Sequence, residues 1–153
     1  MNKANGKVYT NRMIALLLAF SLLCCFSLPV FAAEPANVTY EDLGNGFAVK
    51  TTLIHEVGNS RTTAADTKVK EYTYNGTWIA TVTLNASFSY NGSTVSVTNA
   101  YATRSLASGW IYYNESLTKS GGTASLSASL TRNGYGTVPV ALSLTCDKNG
   151  NIS

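Results

Sequence analysis

Over much of the chain beyond residue 37, apolar and small polar residues alternate with a period of two. In the clearest run Trp78, Ala80, Val82, Leu84, Ala86, Phe88 and Tyr90 take one side, and Thr81, Thr83, Asn85, Ser87 and Ser89 the other, with Ile79 the exception. Successive side chains of a strand point to opposite faces, so this run predicts a strand with one dry and one wet face. Ala124, Leu126, Ala128 and Leu130 alternate with Ser125, Ser127, Ser129 and Thr131 in the same way, as do Phe47, Val49, Thr51 and Leu53 with Lys50 and Thr52.

The punctuation between these runs is Asn-Gly, at Asn45-Gly46, Asn75-Gly76, Asn91-Gly92, Asn133-Gly134 and Asn149-Gly150. A two-residue type I′ hairpin needs φ > 0 at both central positions, which Asn and Gly tolerate best. Strands are therefore expected over 38–43, 47–55, 78–90, 95–101, 109–118, 124–131 and 138–146, with Tyr72 and Tyr74 leading into the turn at Asn75. The polar stretch 56–67 is the expected crossover loop between sheets. Pro139 falls among the outward residues of its segment and points to an edge strand or a bulge. No sustained 3.6-residue period appears outside the first thirty residues. About eight short strands argue an all-β antiparallel two-layer β-sandwich, immunoglobulin-like in topology, with Trp78 as its core tryptophan and a barrel as the alternative.

The N-terminus follows a different pattern. Lys3, Lys7 and Arg12 precede an apolar run over 13–31, and Val30-Phe31-Ala32 places small residues at the −3 and −1 positions of a signal-peptidase site. The expectation is a cleaved signal peptide over 1–32 and a single domain over 33–153, secreted or extracellular; an uncleaved membrane tether is the alternative. Leu23, ahead of Cys24-Cys25, argues against a lipoprotein signal. The leader carries three of the eleven bases and none of the eight acids, so the remainder has eight of each and no net charge. That balance speaks against nucleic acid, and against anionic lipid, as a partner. Beyond the leader Cys146 stands alone, in phase with Val138, Val140, Leu142 and Leu144, and is expected as a small buried hydrophobe.

Candidate chemistry is sparse. His55 is the sole histidine; with no Gly-x-Ser-x-Gly elbow and no second histidine after Glu56, it is expected as a structural, hydrogen-bonded residue. A carboxylate pair such as Glu71 with Glu115 is what a glycosidase would need. Asp147-Lys148-Asn149-Gly150-Asn151 matches the start of a calcium loop but has Ile152 where the sharp-turn glycine belongs, so a plain turn is expected. Leu43-Gly44-Asn45-Gly46 lacks the third glycine and the helix of a nucleotide loop. No cofactor and no metal are expected, and the protein is expected not to be an enzyme. Asn-x-Ser/Thr sequons at Asn37, Asn75, Asn85, Asn91, Asn114 and Asn151 matter only where the source glycosylates its exports.

Aromatic residues are the remaining signal. With Ile111 and Tyr113 facing the core, Trp110 and Tyr112 would stand together outside, about 7 Å apart. Tyr72 and Tyr74 share a face with Lys68 and Lys70, which suggests partial exposure. Trp110, Tyr112, Tyr72 and Tyr74 are thus the expected ligand-binding residues, suited to stacking on a sugar or anchoring a protein.

The stretch from Val38-Thr39-Tyr40-Glu41-Asp42-Leu43-Gly44-Asn45-Gly46-Phe47 through Ser108-Gly109-Trp110 to Thr145-Cys146 resembles a loose group of small secreted Ser/Thr-rich all-β proteins of Gram-positive bacteria. The resemblance implies a bacterial, exported β-sandwich and carries no functional residue. The leading expectation is a non-catalytic secreted protein that binds a glycan, a cell-wall polymer or a protein. A self-assembling surface protein is the alternative, ahead of a membrane-active β-hairpin protein or a small hydrolase.

Overall fold

The computed structural model describes residues 37–56 and 62–153; the leader over 1–32 lies outside them. Eight strands follow one another: β1 Asn37–Gly44, β2 Phe47–Glu56, β3 Thr63–Tyr74, β4 Thr77–Tyr90, β5 Val95–Leu106, β6 Ile111–Ser120, β7 Thr123–Arg132 and β8 Gly136–Thr145. They form two antiparallel sheets, β1-β2-β3-β4-β5 and β6-β7-β8. The all-β, eight-stranded, two-layer expectation holds.

The strand order differs from the immunoglobulin-like one. Within each sheet every strand lies beside its neighbour in sequence, so each is a meander, whereas the immunoglobulin order needs Greek-key crossovers. The stretch expected as a crossover instead returns the chain to the same sheet, because β3 starts at Thr63 and pairs with β2 from Ala65 to Tyr74. The chain changes sheet between β5 and β6, through the short turn at Ala107–Trp110.

The two sheets share one apolar core. β4 contributes Ala80, Val82, Leu84, Ala86 and Phe88; β7 contributes Ala124, Leu126, Ala128 and Leu130; β8 contributes Val138, Val140, Leu142 and Leu144. Phe47, Val49, Tyr72 and Trp110 close it toward one end; Cys146, just past the other end of β8, is buried as expected, and its thiol is free. Burial pushes that thiol's pKa up, with Asp147 adding to the effect. Pro139 sits outward on β8, an edge strand, where its missing N–H leaves no central ladder bond unmade.

Asn45-Gly46 and Asn75-Gly76 have positive φ at both positions (52° and 82°; 47° and 76°), the backbone a two-residue hairpin demands. The other copies serve longer turns. Asn91 Oδ1 accepts from the N–H groups of Ser93 and Thr94, and Tyr135 N–H donates to the Arg132 carbonyl. The terminal stretch is also a turn: Asp147 accepts from Asn149 N–H, Asn151 N–H and Asn151 Nδ2 at 2.7–2.9 Å. These bonds lower the Asp147 pKa, the Asn151 side chain contributing most.

Candidate functional site

In a meander, every odd-to-even turn lands at the same end of its sheet. Here the two sheets bring four such turns together. Asn75 N–H donates to the Gly46 carbonyl at 2.7 Å, and Ala107 N–H to the Ile79 carbonyl at 2.9 Å. Rings then bridge the turns. Phe47 packs on Tyr74 and edge-on to Trp110, while Tyr135, from the turn between β7 and β8, contacts both Tyr74 and Trp110.

A bulge decides which tryptophan faces water. Tyr72 pairs with Ala80 and Thr73 with Trp78, so Ile79 is an extra residue in β4. Ile79 and Ala80 are both buried, and Trp78, which simple alternation would send to the core, turns outward and is 40% exposed. Its indole N–H donates to Thr81 Oγ1 at 2.9 Å, which holds the ring against the outer face of the five-stranded sheet. The core tryptophan is Trp110 instead, 6% exposed.

On that outer face lies a groove of about 510 Å³, the size of a small-ligand site. Tyr40, 77% exposed, stands on the β1 side and Trp78 on the β4 side. The strands that carry them, β1 and β4, lie three inter-strand spacings of ~4.8 Å apart, with β2 and β3 between them. Ala48, Lys50, Glu71 and Thr73 form the floor. Lys50 and Glu71 face each other in register and pair at 2.8 Å, which raises the Lys50 pKa through the hydrogen bond to Glu71. The floor thus offers ammonium donors beside carboxylate acceptors, between two aromatic walls.

Behind Trp78 lies a second concavity of about 330 Å³, lined by Tyr74, Trp78, Trp110, Arg132 and Tyr135 among others. The Arg132 guanidinium lies 4.7 Å from the centroid of the Tyr135 ring.

The expected binding residues are divided by this arrangement. Tyr74 and Trp110 come together, as walls of the second concavity, with Trp110 presenting little surface. Tyr72 is 1% exposed in the core, where burial drives its pKa upward. Tyr112 opposes Leu130 on the inner side of its sheet, half-buried beneath the Arg104 guanidinium, its pKa pushed up to about 12 by burial and then by Glu115. The expected exposure of Trp110 and Tyr112 is therefore reversed: Ile111 and Tyr113 face out, 57% and 36% exposed. Tyr72 does share its face with Lys68 and Lys70, but that face is the inner one; Lys68 is half-buried and donates to the Ser143 carbonyl.

Glu71 and Glu115 lie on different sheets, and each is engaged by its own cation, Lys50 and Arg104. At the far end from the aromatic cluster, His55 opposes Asp66 across β2 and β3, with Nδ1 2.6 Å from Oδ2. Asp66 is 3% exposed and accepts from Glu56 N–H; burial raises its pKa and His55 opposes the rise. His55 thus has the structural partner expected of it.

No protein-family model matches this chain, and neither a curated protein nor a solved structure matches it.

Proposed function

We propose that the protein is an exported, non-catalytic binding module whose ligand is an extracellular or cell-surface glycan, held in the groove between Tyr40 and Trp78. The observation that carries this reading is the outward Trp78, fixed by Thr81 and facing Tyr40 over a floor of paired charges. Aromatic faces stack on the C–H faces of sugar rings, and an adjacent donor–acceptor pair reads their hydroxyls. The engagement of the carboxylates supports a non-catalytic role: Glu71, Glu115 and Asp66 have basic partners, and Asp42 and Asp147 accept from their own turns. The leader and the resemblance to small exported proteins of Gram-positive bacteria support a bacterial, extracellular setting.

The test is retention of the secreted chain on insoluble wall material and on a panel of polysaccharides. The parent is expected to bind, and Trp78→Ala with Tyr40→Ala to lose binding at unchanged melting temperature. Retention of the double variant would sink the reading.

The strand β1 favours a second reading, self-assembly. It is a sheet edge, contains no proline or lysine, and exposes Val38 and Tyr40. Such edges pair between chains unless protected. Light scattering that rises with concentration, and falls with Val38→Lys, would support it.

A further inference from the structure

The proposed groove ends at Trp78, and the chemistry changes on the other side of that ring. Among the residues lining the second concavity, Arg132 is the sole charged one. Its guanidinium is held rather than neutralised. Tyr135 lies against one side of it, and Gly109 is packed so close that a Cβ there would come within 3.3 Å of Nε. Among the described residues no carboxylate pairs with Arg132, whereas Arg104, the other described arginine, is paired with Glu115 at 2.8 Å. A planar cation fixed between a ring and a backbone, with its donors unspent, is preorganised for an oxyanion.

The groove has the opposite bias. Its floor and rim carry Asp42, Glu41 and Glu71 against Lys50. A polyanion would meet repulsion there. We propose that the ligand is a neutral oligosaccharide ending in one acidic group, with the neutral rings between Tyr40 and Trp78 and the terminal carboxylate or phosphate on Arg132. This rests on the glycan reading above and adds the charge and the direction of the chain. Trp78 lines both concavities, so it contacts the sugar at the point where neutral chain gives way to acid.

The experiment is calorimetric titration of the secreted chain with four probes: a neutral oligosaccharide, the same oligosaccharide ending in a uronic acid, the same ending in a sugar phosphate, and a polyuronate. The wild type is expected to bind one of the two acid-terminated probes about tenfold or more tighter than the neutral one, the range of a charge-assisted hydrogen-bond pair. The tighter of those two identifies the oxyanion, and the polyuronate is expected to bind weakest. Arg132→Gln should bring the acid-terminated probes down to the affinity of the neutral one and leave the latter unchanged. Arg132→Lys, which keeps charge but loses the fork, should recover part of the preference.

Equal affinity for neutral and acid-terminated probes, or a preference that survives Arg132→Gln, would overturn this inference and leave the groove reading standing. Tightest binding to the polyuronate would overturn it too. No binding of any probe would overturn both. A melting temperature within a degree or two of wild type is the control that Arg132→Gln is folded.

Discussion

Trp78 and Trp110 exchange the roles that their sequence contexts suggest, and their substitution should separate accordingly. Trp110 packs against Phe47 and Tyr135 at the end of the core. Its replacement by alanine should cost about 3–5 kcal/mol of stability, the usual range for a buried aromatic. Trp78→Ala, on an exposed surface, should cost under about 1 kcal/mol and abolish ligand retention. Urea unfolding of both variants measures the first difference and polysaccharide retention the second. Asp66 gives a residue-scale test of pH. Its folded pKa is raised, so the folded state holds the proton more tightly than the unfolded one. Its contribution is therefore most favourable below the ordinary aspartate range and is lost as pH rises through that range to the raised value. Asp147 has the opposite sign, with a lowered pKa whose contribution fades on acidification. The difference between wild type and Asp66→Asn isolates the first effect: the stability of wild type relative to the variant, followed by the urea midpoint, should fall as pH rises through and above the ordinary aspartate range. A flat difference would mean that His55 offsets the burial of Asp66 fully.

At the scale of the element, the hairpins were legible because their turn chemistry is local. Asn45-Gly46 and Asn75-Gly76 have the positive φ values that the dipeptide predicts, and β1, β2, β4, β6, β7 and β8 stand close to their expected bounds, whereas β3 starts inside the stretch expected as a loop and β5 runs on to Leu106. Gly46 carries a further constraint: a Cβ there would run into the Asn75 side chain, whereas one on Gly76 would meet nothing within 4 Å. Gly76→Ala should therefore show the cost of φ alone, about 1 kcal/mol, and Gly46→Ala clearly more. Equal midpoints in urea for the two variants would show that the neighbouring hairpin yields at no cost. The bulge was legible only as an anomaly. Ile79 broke an otherwise regular alternation, yet nothing local says whether such a residue is an outward apolar side chain or an insertion that reverses everything before it. Pairing decides, through Tyr72 with Ala80 and Thr73 with Trp78. The strand β6 failed for the same reason. Trp110-Ile111-Tyr112-Tyr113 is apolar on both faces, so only the opposition of Tyr112 to Leu130 fixes which face is dry.

For the whole molecule, the meander explains why the proposed site draws on residues that the sequence reading did not offer as ligand-binding. Tyr40, Trp78 and Arg132 are far apart in the chain; Trp78 was expected in the core, and Tyr40 and Arg132 carried no expectation of a role. The turns that carry or adjoin them share one end because consecutive strands are neighbours in each sheet. Strand order is a global property, so neither the groove nor the second concavity had a local signature. The same topology raises the question of whether a three-stranded sheet can open on its own. Its inner face is Ala124, Leu126, Leu130, Val138, Val140, Leu142 and Leu144, all buried against the five-stranded sheet, and uncovering it would expose most of the core at once. The two sheets should therefore unfold as one cooperative unit. Cys146 and Trp110 report on this from different places. The thiol is 2% exposed just beyond β8, where its N–H donates to the Gly122 carbonyl, and the indole lies in the turn between sheets. In a Trp78→Phe background, Trp110 fluorescence and Cys146 thiol labelling should give coincident urea transitions. Labelling that precedes the fluorescence change would show the three-stranded sheet detaching first, and would place the weakest seam of the fold along β8 rather than at the aromatic end.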